Sequence, residues 1–496
     1  MIEKLRQVAL WFDDRLHIKK LFESTAGHHV PKSAGSWFYV FGSGTLLCLI
    51  IQIITGTCLA FVYVPSADQA YTTLEYLNYV QPFGWYLRAL HNWGSNFMVG
   101  IMLLHMAQVF LFGAYKYPRE LTWISGVLLL FVTLGLAFTG QIMRFDQDAY
   151  WGLGIGASIV GRVPVIGPDL LHIMLAGPII AGETLTRFFT LHVFILPGTV
   201  LAIVAVHLRL VLTKGINEYP KPGAVVKKAT YNQDYEAIIK KEGVPFVPDA
   251  VDKDLYFSAF VILAILFCAA VFGPAGPEGV PDPTYVRTSP HPDFFFLWIF
   301  SVAALLPHYM ETFVLLAGPV IAVIALFALP FISGTGEKSA RKRPVAVLTV
   351  VVSFLALSLL TWLGLHSPWS PHMDAWTSEP TPAQFVKGRT PLELQGALVL
   401  QNKQCRTCHA LDSTGGERGP DLSRVATRLT KDQLVRQVIQ GGGNMPAYGK
   451  NLSPAEVDAL VAFMLTLRPP NQLPARDTTV PTQPSPAGQA RQRAGL

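Results

Sequence analysis

Seven stretches of the chain are apolar for long enough to cross a bilayer as helices, and polar or turn-forming residues separate them. They lie near residues 37–63, 84–112, 122–143, 189–212, 255–273, 313–332 and 345–366. A hydrocarbon core of about 30 Å needs about 20 helical residues, so each stretch is sufficient. Residues 294–312 are also apolar, but Pro307, His308 and Glu311 interrupt them. That pattern predicts a partly interfacial helix rather than an eighth span. Residues 367–390 are rich in Pro, Ser and Thr and read as a linker, whereas 391–468 show mixed polarity with helical patterning and predict a small second domain. Residues 469–496 hold Pro, Gln, Arg and Ala with little apolar content and are expected to be disordered.

Composition agrees with a polytopic membrane protein. Of the 496 residues, 51% are hydrophobic and 15% charged, against about 25% charged in a typical soluble domain. A net charge of +6 is too small to argue for nucleic acid, and no such partner is expected. The placement of charge says more. Nineteen Lys and Arg fall in residues 1–36, 113–121, 213–254 and 333–344, and four in 64–83, 144–187 and 274–312. The positive-inside rule therefore puts the N-terminus in the cytoplasm and, after seven crossings, the C-terminal domain on the opposite face. Met1 to Lys32 is polar and amphipathic, so no cleavable signal peptide is expected.

Histidines inside apolar spans are expensive and point to function. His91 and His105 lie 14 residues apart in the second span, and His192 and His207 lie 15 apart in the fourth. At 1.5 Å and 100° per residue, these spacings give about 21 and 22 Å along the axis with drifts of only about 40° and 60°. Each pair thus shares a helix face, and two parallel helices with histidines at matching depths form two bis-histidine sites. A haem between facing helices needs that arrangement. The alternative is that each histidine simply hydrogen-bonds a neighbouring helix, which leaves the matched spacing unexplained. Other histidines, such as His17, His28, His29 and His172, are expected in loops.

Three of the five cysteines, Cys48, Cys58 and Cys268, lie in apolar runs and read as small hydrophobes. The other two form Cys405-Arg406-Thr407-Cys408-His409. Two thiols at this spacing attach a haem c covalently, and the adjacent histidine then reaches the iron. A zinc ribbon would want a second Cys-x-x-Cys, and a redox dithiol would not need His409. Gly419-Pro420-Asp421-Leu422 and Asn444-Met445-Pro446-Ala447-Tyr448-Gly449 resemble the rest of a class I cytochrome c, in which Met445 would be the opposite axial ligand.

Residues 11–16 (Trp-Phe-Asp-Asp-Arg-Leu), 117–126 (Tyr-Pro-Arg-Glu-Leu-Thr-Trp-Ile-Ser-Gly), 164–167 (Pro-Val-Ile-Gly) and 184–192 (Thr-Leu-Thr-Arg-Phe-Phe-Thr-Leu-His) resemble the cytochrome b/b6 family. The 15-residue spacing in the fourth span is similar to its b6-type branch. Residues 255–366, including Arg343-Pro344-Val345-Ala346, resemble the subunit that is separate in the photosynthetic complex, so the likeness covers about residues 5–366. It implies an all-α fold with a four-helix di-haem core. The implied boundaries are a di-haem domain over 1–212 and a three-helix domain over 213–366, then the linker, a cytochrome c domain over 391–468 and the tail. It also implies that Arg88, one turn before His91, pairs with a haem propionate.

The family pattern Pro-Glu-Trp-Tyr at the quinol-oxidation site reads Pro292-Asp293-Phe294-Phe295 here, and Pro-Trp-Asp after the third span reads Arg144-Phe145-Asp146. The cysteine that binds an extra haem in b6-type proteins aligns with Val40. Asp293 is the candidate base: a carboxylate in a poorly solvated pocket has its pKa raised and can take a quinol proton. Asp before an apolar run can equally cap a helix. The resemblance therefore implies two haems b, one covalent haem c and quinol, expected to be menaquinol, as substrate. The implied partners are a Rieske iron–sulfur protein, the quinone pool and a soluble or membrane electron acceptor, in a dimeric proton-translocating quinol–cytochrome c reductase of a bacterial inner membrane. The alternative is a di-haem membrane anchor or electron conduit of another quinone-linked complex.

Overall fold

The structure, a computed structural model, describes residues 2–472 and 475 apart from 18, 21–22, 24–26, 178–179, 282–289, 367–379, 416–418, 442–444, 446–447 and 450–451. Most of the expected linker and nearly all of the expected disordered tail lie outside the described residues. The described chain is mostly helical, with three short two-stranded antiparallel ribbons: 29–31 with 243–245, 225–226 with 336–337, and 410–411 with 414–415. It divides into two compact units, one holding all the long apolar helices and the other holding the C-terminal helices together with residues 169–177 and 180.

Seven helices among the described residues are long and apolar enough to span a membrane: Phe41–Ala60, Gly84–Leu111, Glu120–Ile142, Gly182–Lys214, Asp252–Phe272, Met310–Ile332 and Pro344–His366. The protein is thus a multi-pass membrane protein. Their surfaces are largely apolar and exposed, with Phe260, Leu263, Phe331 and Phe354 each more than half accessible, as a lipid-facing bundle requires. The first span packs along the second and the third along the fourth. Cys48, Leu49, Met98, Ile101 and Val200 meet in the core between them, and the fifth span adds Val261 and Ile265.

Three boundaries differ from expectation. The first span starts at Phe41 rather than residue 37, because Ser36–Val40 turn before the helix begins. The fourth reaches back to Gly182. The apolar run after Asp293 forms a helix over Phe294–Leu305, shorter than expected, and a new helix starts at His308. Leu306 is extended there, as a residue before proline prefers. Glu311 consequently belongs to the sixth span. It is tolerated because its Oε2 accepts a 2.7 Å bond from Arg162 Nη2, with both side chains almost fully buried. His29 lies in a short strand and His172 on the helix Gly167–Leu175, so neither is a loop residue.

The second unit is built on the helices Pro391–Asn402, Lys431–Gln440 and Pro454–Met464. Each opens with a capping box, Thr390 with Glu393, Thr430 with Gln433 and Ser453 with Glu456. That motif satisfies two otherwise orphaned backbone donors reciprocally and is legible in sequence. Leu400, Leu411, Leu460, Val461, Phe463 and Leu467 form its core. The first and last of these helices cross at Gly396, where an added Cβ would collide with the Ala459 carbonyl oxygen. The short helix Ala383–Val386, in the stretch read as linker, packs Phe385 and Val386 against this core.

Candidate functional site

His91 and His192 meet between the second and fourth spans with ring centroids 6.2 Å apart. Two imidazoles on opposite sides of one metal ion, with metal–nitrogen bonds of about 2.0–2.1 Å and a ring radius of about 1.2 Å, would have centroids about 6.4 Å apart. The separation therefore admits one ion.

The unequal histidine spacings are reconciled by a defect in the fourth span. Leu191–Ile195 form a π turn, closed by Leu196 N–H donating to Leu191 O, inside an otherwise α-helical segment. Pro197 follows at once. It has no N–H to give residue 193 and its ring would clash with that carbonyl, so the helix widens there. A π turn holds one residue more than an α turn, so the 15-residue interval behaves as the 14-residue interval of the partner helix.

Hydrogen bonds set the tautomer of three of these imidazoles. Thr55 Oγ1 donates to Ile51 O (2.6 Å), Ser125 Oγ to Thr122 O (2.9 Å) and Thr139 Oγ1 to Gly135 O (2.8 Å). Each hydroxyl has one proton and has spent it. The contacts to His91 Nδ1 (2.9 Å), His207 Nδ1 (2.9 Å) and His192 Nδ1 (3.0 Å) must then be Nδ1–H donations to the hydroxyls. That leaves the Nε2 lone pair free on each ring, as in metal-binding histidines, which donate their other ring N–H to a fixed acceptor. His105 has no such hydroxyl partner among the described residues.

Four glycines face the four rings. A Cβ on Gly42, Gly56, Gly126 or Gly140 would lie 3.3, 3.0, 3.5 or 2.7 Å from Cε1 of His105, His91, His207 or His192 respectively. Gly42 and Gly56, in the first span, are 14 residues apart, as are Gly126 and Gly140 in the third. At Gly140 an added side chain would displace the imidazole, at Gly56 and Gly42 it would crowd it, and at Gly126 it would only touch it. Among the described residues no group of three or more His, Cys, Asp or Glu could hold a metal by itself. Pairs of imidazoles in glycine-walled slots fit haem, whose macrocycle would provide the other four ligands.

A cavity of about 270 Å³ adjoins His91 and His192 and is also lined by Arg88, Gln141, Arg144 and Asp293. Arg88 Nη1 donates to Asn78 Oδ1 (2.6 Å) and Nη2 to the carbonyls of Ala275 and Gly276. A second, almost wholly apolar cavity of about 140 Å³ lies beside it, lined by Phe138, Ile155, Pro292, Phe296 and Phe300. Gln141 borders both. Its Oε1 accepts from the Asp293 backbone N–H at 3.3 Å. Asp293 occupies the N-cap position of Phe294–Leu305, yet its side chain makes no capping bond. Burial pushes its carboxyl above the usual range; Arg144 opposes and Asp146 adds. Asp148 is pushed up to about 6 by burial, with Glu278 and Asp146 contributing and Arg144 and His291 opposing. Asp146 is fully buried and caps the helix Gln147–Gly161 through Ala149 N–H.

In the C-terminal unit Cys405–Thr407 form a 3₁₀ turn, and His409 N–H donates to Cys405 O at 3.1 Å, so that Cys405, Cys408 and His409 share one tight turn of backbone. His409 Nδ1 lies 2.8 Å from Pro420 O. A carbonyl can only accept, so Nδ1 carries the proton and Nε2 is free. Burial holds this imidazole below its usual pKa, with the Pro420 bond opposing and the Arg428 charge adding. A Cβ on Gly419 would press on the same ring. Met445 Sδ accepts from Gln437 Nε2 at 3.5 Å. Most residues beside Met445 in its motif lie outside the described residues.

The structure thus brings Arg88, His91, His192 and Asp293 to one cavity wall, and groups Cys405, Cys408 and His409 in the other unit. Sequence reasoning missed the facing glycines, the three hydroxyls, Gln141 and Asp148. The glycines alone left a signal, since their 14-residue spacings repeat that of His91 and His105.

Comparison with known proteins agrees. Residues 26–215 match the family model "Cytochrome b/b6/petB", and residues 394–464 match "Cytochrome C oxidase, cbb3-type, subunit III". The chain is 37% identical over 207 residues to cytochrome b6 of Prochlorothrix hollandica, covering 42% of this chain and 93% of that one. It is 38% identical over 209 residues to cytochrome b6 of Heliobacterium modesticaldum, covering 42% and 98%. Among solved structures, a chain of "Hyperthermophilic respiratory Complex III" superposes with a TM-score of 0.58 at 29% identity, covering 72% of this chain and 91% of that chain.

Proposed function

Because the chain belongs to the cytochrome b/b6 family, we propose that it is the quinol-oxidising cytochrome b subunit of a bc-type complex, with its own cytochrome c domain fused at the C-terminus. Residues 1–212 form the di-haem domain, 213–366 the three-helix domain, 367–390 the linker and 391–468 the cytochrome c domain. His91 with His192, and His105 with His207, hold two haems b. Cys405 and Cys408 attach a haem c, with His409 and Met445 as axial ligands. When bound, these haems supply one-electron transfer between quinol, the far side of the membrane and the acceptor. The observation that carries this reading is the meeting of His91 with His192 across the helices, together with the hydroxyl contacts at Nδ1 of His91, His207 and His192, which leave Nε2 as the uncommitted nitrogen of each ring.

The chain's own contribution at the quinol is to bind it dry and to take its proton. The apolar cavity beside Pro292 accepts the ring system and excludes water, so that polar groups at its edge act in a low dielectric. Asp293 lines the adjoining haem-side cavity, with Gln141 bordering both. Uncommitted as a cap and with a raised pKa, Asp293 takes the proton from a quinol hydroxyl that reaches that border onto its carboxylate. Gln141 fixes the backbone of that residue. Menaquinol is the substrate, and proton release on the side opposite the cytoplasmic N-terminus makes the reaction proton-translocating. A Rieske iron–sulfur protein, the quinone pool and an electron acceptor are the partners, in a dimeric complex of a bacterial inner membrane. Redox spectra of the purified complex during decylquinol and menaquinol turnover test this. Two b-type components and one c-type component should become reduced; a complex whose haems neither quinol reduces refutes the proposal.

A further inference from the structure

The haem-side cavity has a feature that the family pattern does not contain. Where that pattern reads proline after the third span, this chain has Arg144. Its guanidinium lines the same cavity as Arg88, His91 and His192. Its Nε and Nη2 are buried and make no hydrogen bond. Asp146 pairs with it as a charge, 3.5 Å from Nε, but makes no hydrogen bond to it; its Oδ1 accepts instead from Ala149 N–H at 2.9 Å and its Oδ2 from Glu278 N–H at 3.3 Å. Arg88 is satisfied by neutral acceptors, the Asn78 amide and two loop carbonyls. The cavity wall therefore carries two guanidinium groups, and Asp293 is its only carboxylate among the described residues. Buried donors without acceptors are costly. Planar guanidinium groups match carboxylates, whose charge-assisted bonds are the strong ones.

We infer that Arg144 is the second cation of a two-arginine wall, shared with Arg88, that takes the carboxylate groups of the haem held between His91 and His192. The inference rests on the haem reading above and adds a residue to it. Arg144 acts as a positioning and potential-setting residue. A fixed positive charge beside a haem carboxylate favours the form with the extra electron, so removing it disfavours reduction of that haem.

The test is a redox titration of the b haems in the full-length complex carrying Arg144→Gln, Arg144→Met or Arg144→Lys. The component in question is identified as the one lost in His91→Ala. In the two neutral variants its reduction equilibrium should shift about tenfold toward the oxidised form, which is about 59 mV for a one-electron couple. The other b haem should shift less than twofold, and Arg144→Lys should stay within twofold of the parent. Selective loss of that one haem in the neutral variants, restored by lysine, supports the assignment equally. It is overturned if both potentials stay within twofold of the parent, if both haems shift alike, or if the variants lose both haems together. A parent complex without two b-type components would instead sink the haem reading itself.

Discussion

The four glycines facing the histidines can be set against one another in a test that depends only on tenths of an ångström. At Gly140 a Cβ would lie 2.7 Å from His192 Cε1, and at Gly126 a Cβ would lie 3.5 Å from His207 Cε1. Carbon atoms rest about 3.5–4.0 Å apart, so Gly140→Ala must push the His192 ring back by roughly 0.8 Å, whereas Gly126→Ala needs no movement. Overpacking of this kind costs about 1–3 kcal/mol, and alanine returns up to about 1 kcal/mol through its better helix propensity. The net expectation for Gly140→Ala is about 1–2 kcal/mol, a five- to thirtyfold loss in the stability of the haem-bound form. The ring displacement also exceeds the roughly 0.5 Å within which a binding constellation must be held. Gly126→Ala should be neutral or slightly stabilising. Reduced-minus-oxidised spectra during a heat ramp read the result. The b component that depends on His192 should be lost earlier in Gly140→Ala and keep its parent behaviour in Gly126→Ala. Equal behaviour of the two variants would refute the steric reasoning.

Three further expectations concern the ligands and the base. His91→Ala should remove one b-type absorbance component and His207→Ala the other, as counted in redox spectra; a chain that keeps both under either change has other ligands. Asp293→Asn should lower quinol oxidation at least tenfold, equivalent to about 1.4 kcal/mol of barrier, with haem content intact. Because a base must be ionised and burial raises the Asp293 pKa, the parent rate should rise with pH above the usual carboxylate range, and the variant should lose that rise in a stopped-flow pH series. Covalent haem should reside at one site only, since Val40 has no thiol and Cys48 lies eight residues further along the chain. Cutting between residues 367 and 390 should therefore carry all peroxidase stain to the small fragment on a denaturing gel. Cys405→Ser with Cys408→Ser should abolish it, and stain left on the membrane fragment would contradict the inference from Val40.

What the sequence alone determined about this protein is what repeats locally along it. Apolar runs set the number of spans because a bilayer asks only for length and hydropathy. The paired histidines showed their matching depths because a helix turns spacing into position. Cys405 to His409 was legible because both thiols and the imidazole fall within a single turn. Tertiary structure decided whatever depends on which surfaces meet. The 15-residue interval from His192 to His207 looks mismatched with its partner until Pro197 is seen to force a π turn that takes up one residue. Asp293 reads equally as cap or base in one dimension, and only the folded chain shows its carboxyl uncommitted beside the cavity. Thr55, Ser125 and Thr139 are ordinary helix residues until an imidazole from another span arrives to donate to them. Arg144 is likewise a lone departure from a pattern until folding sets it on one cavity wall with Arg88. Hydrogen bonds and excluded volume act over a few ångströms between residues far apart in the chain, and helical periodicity carries no record of those partners.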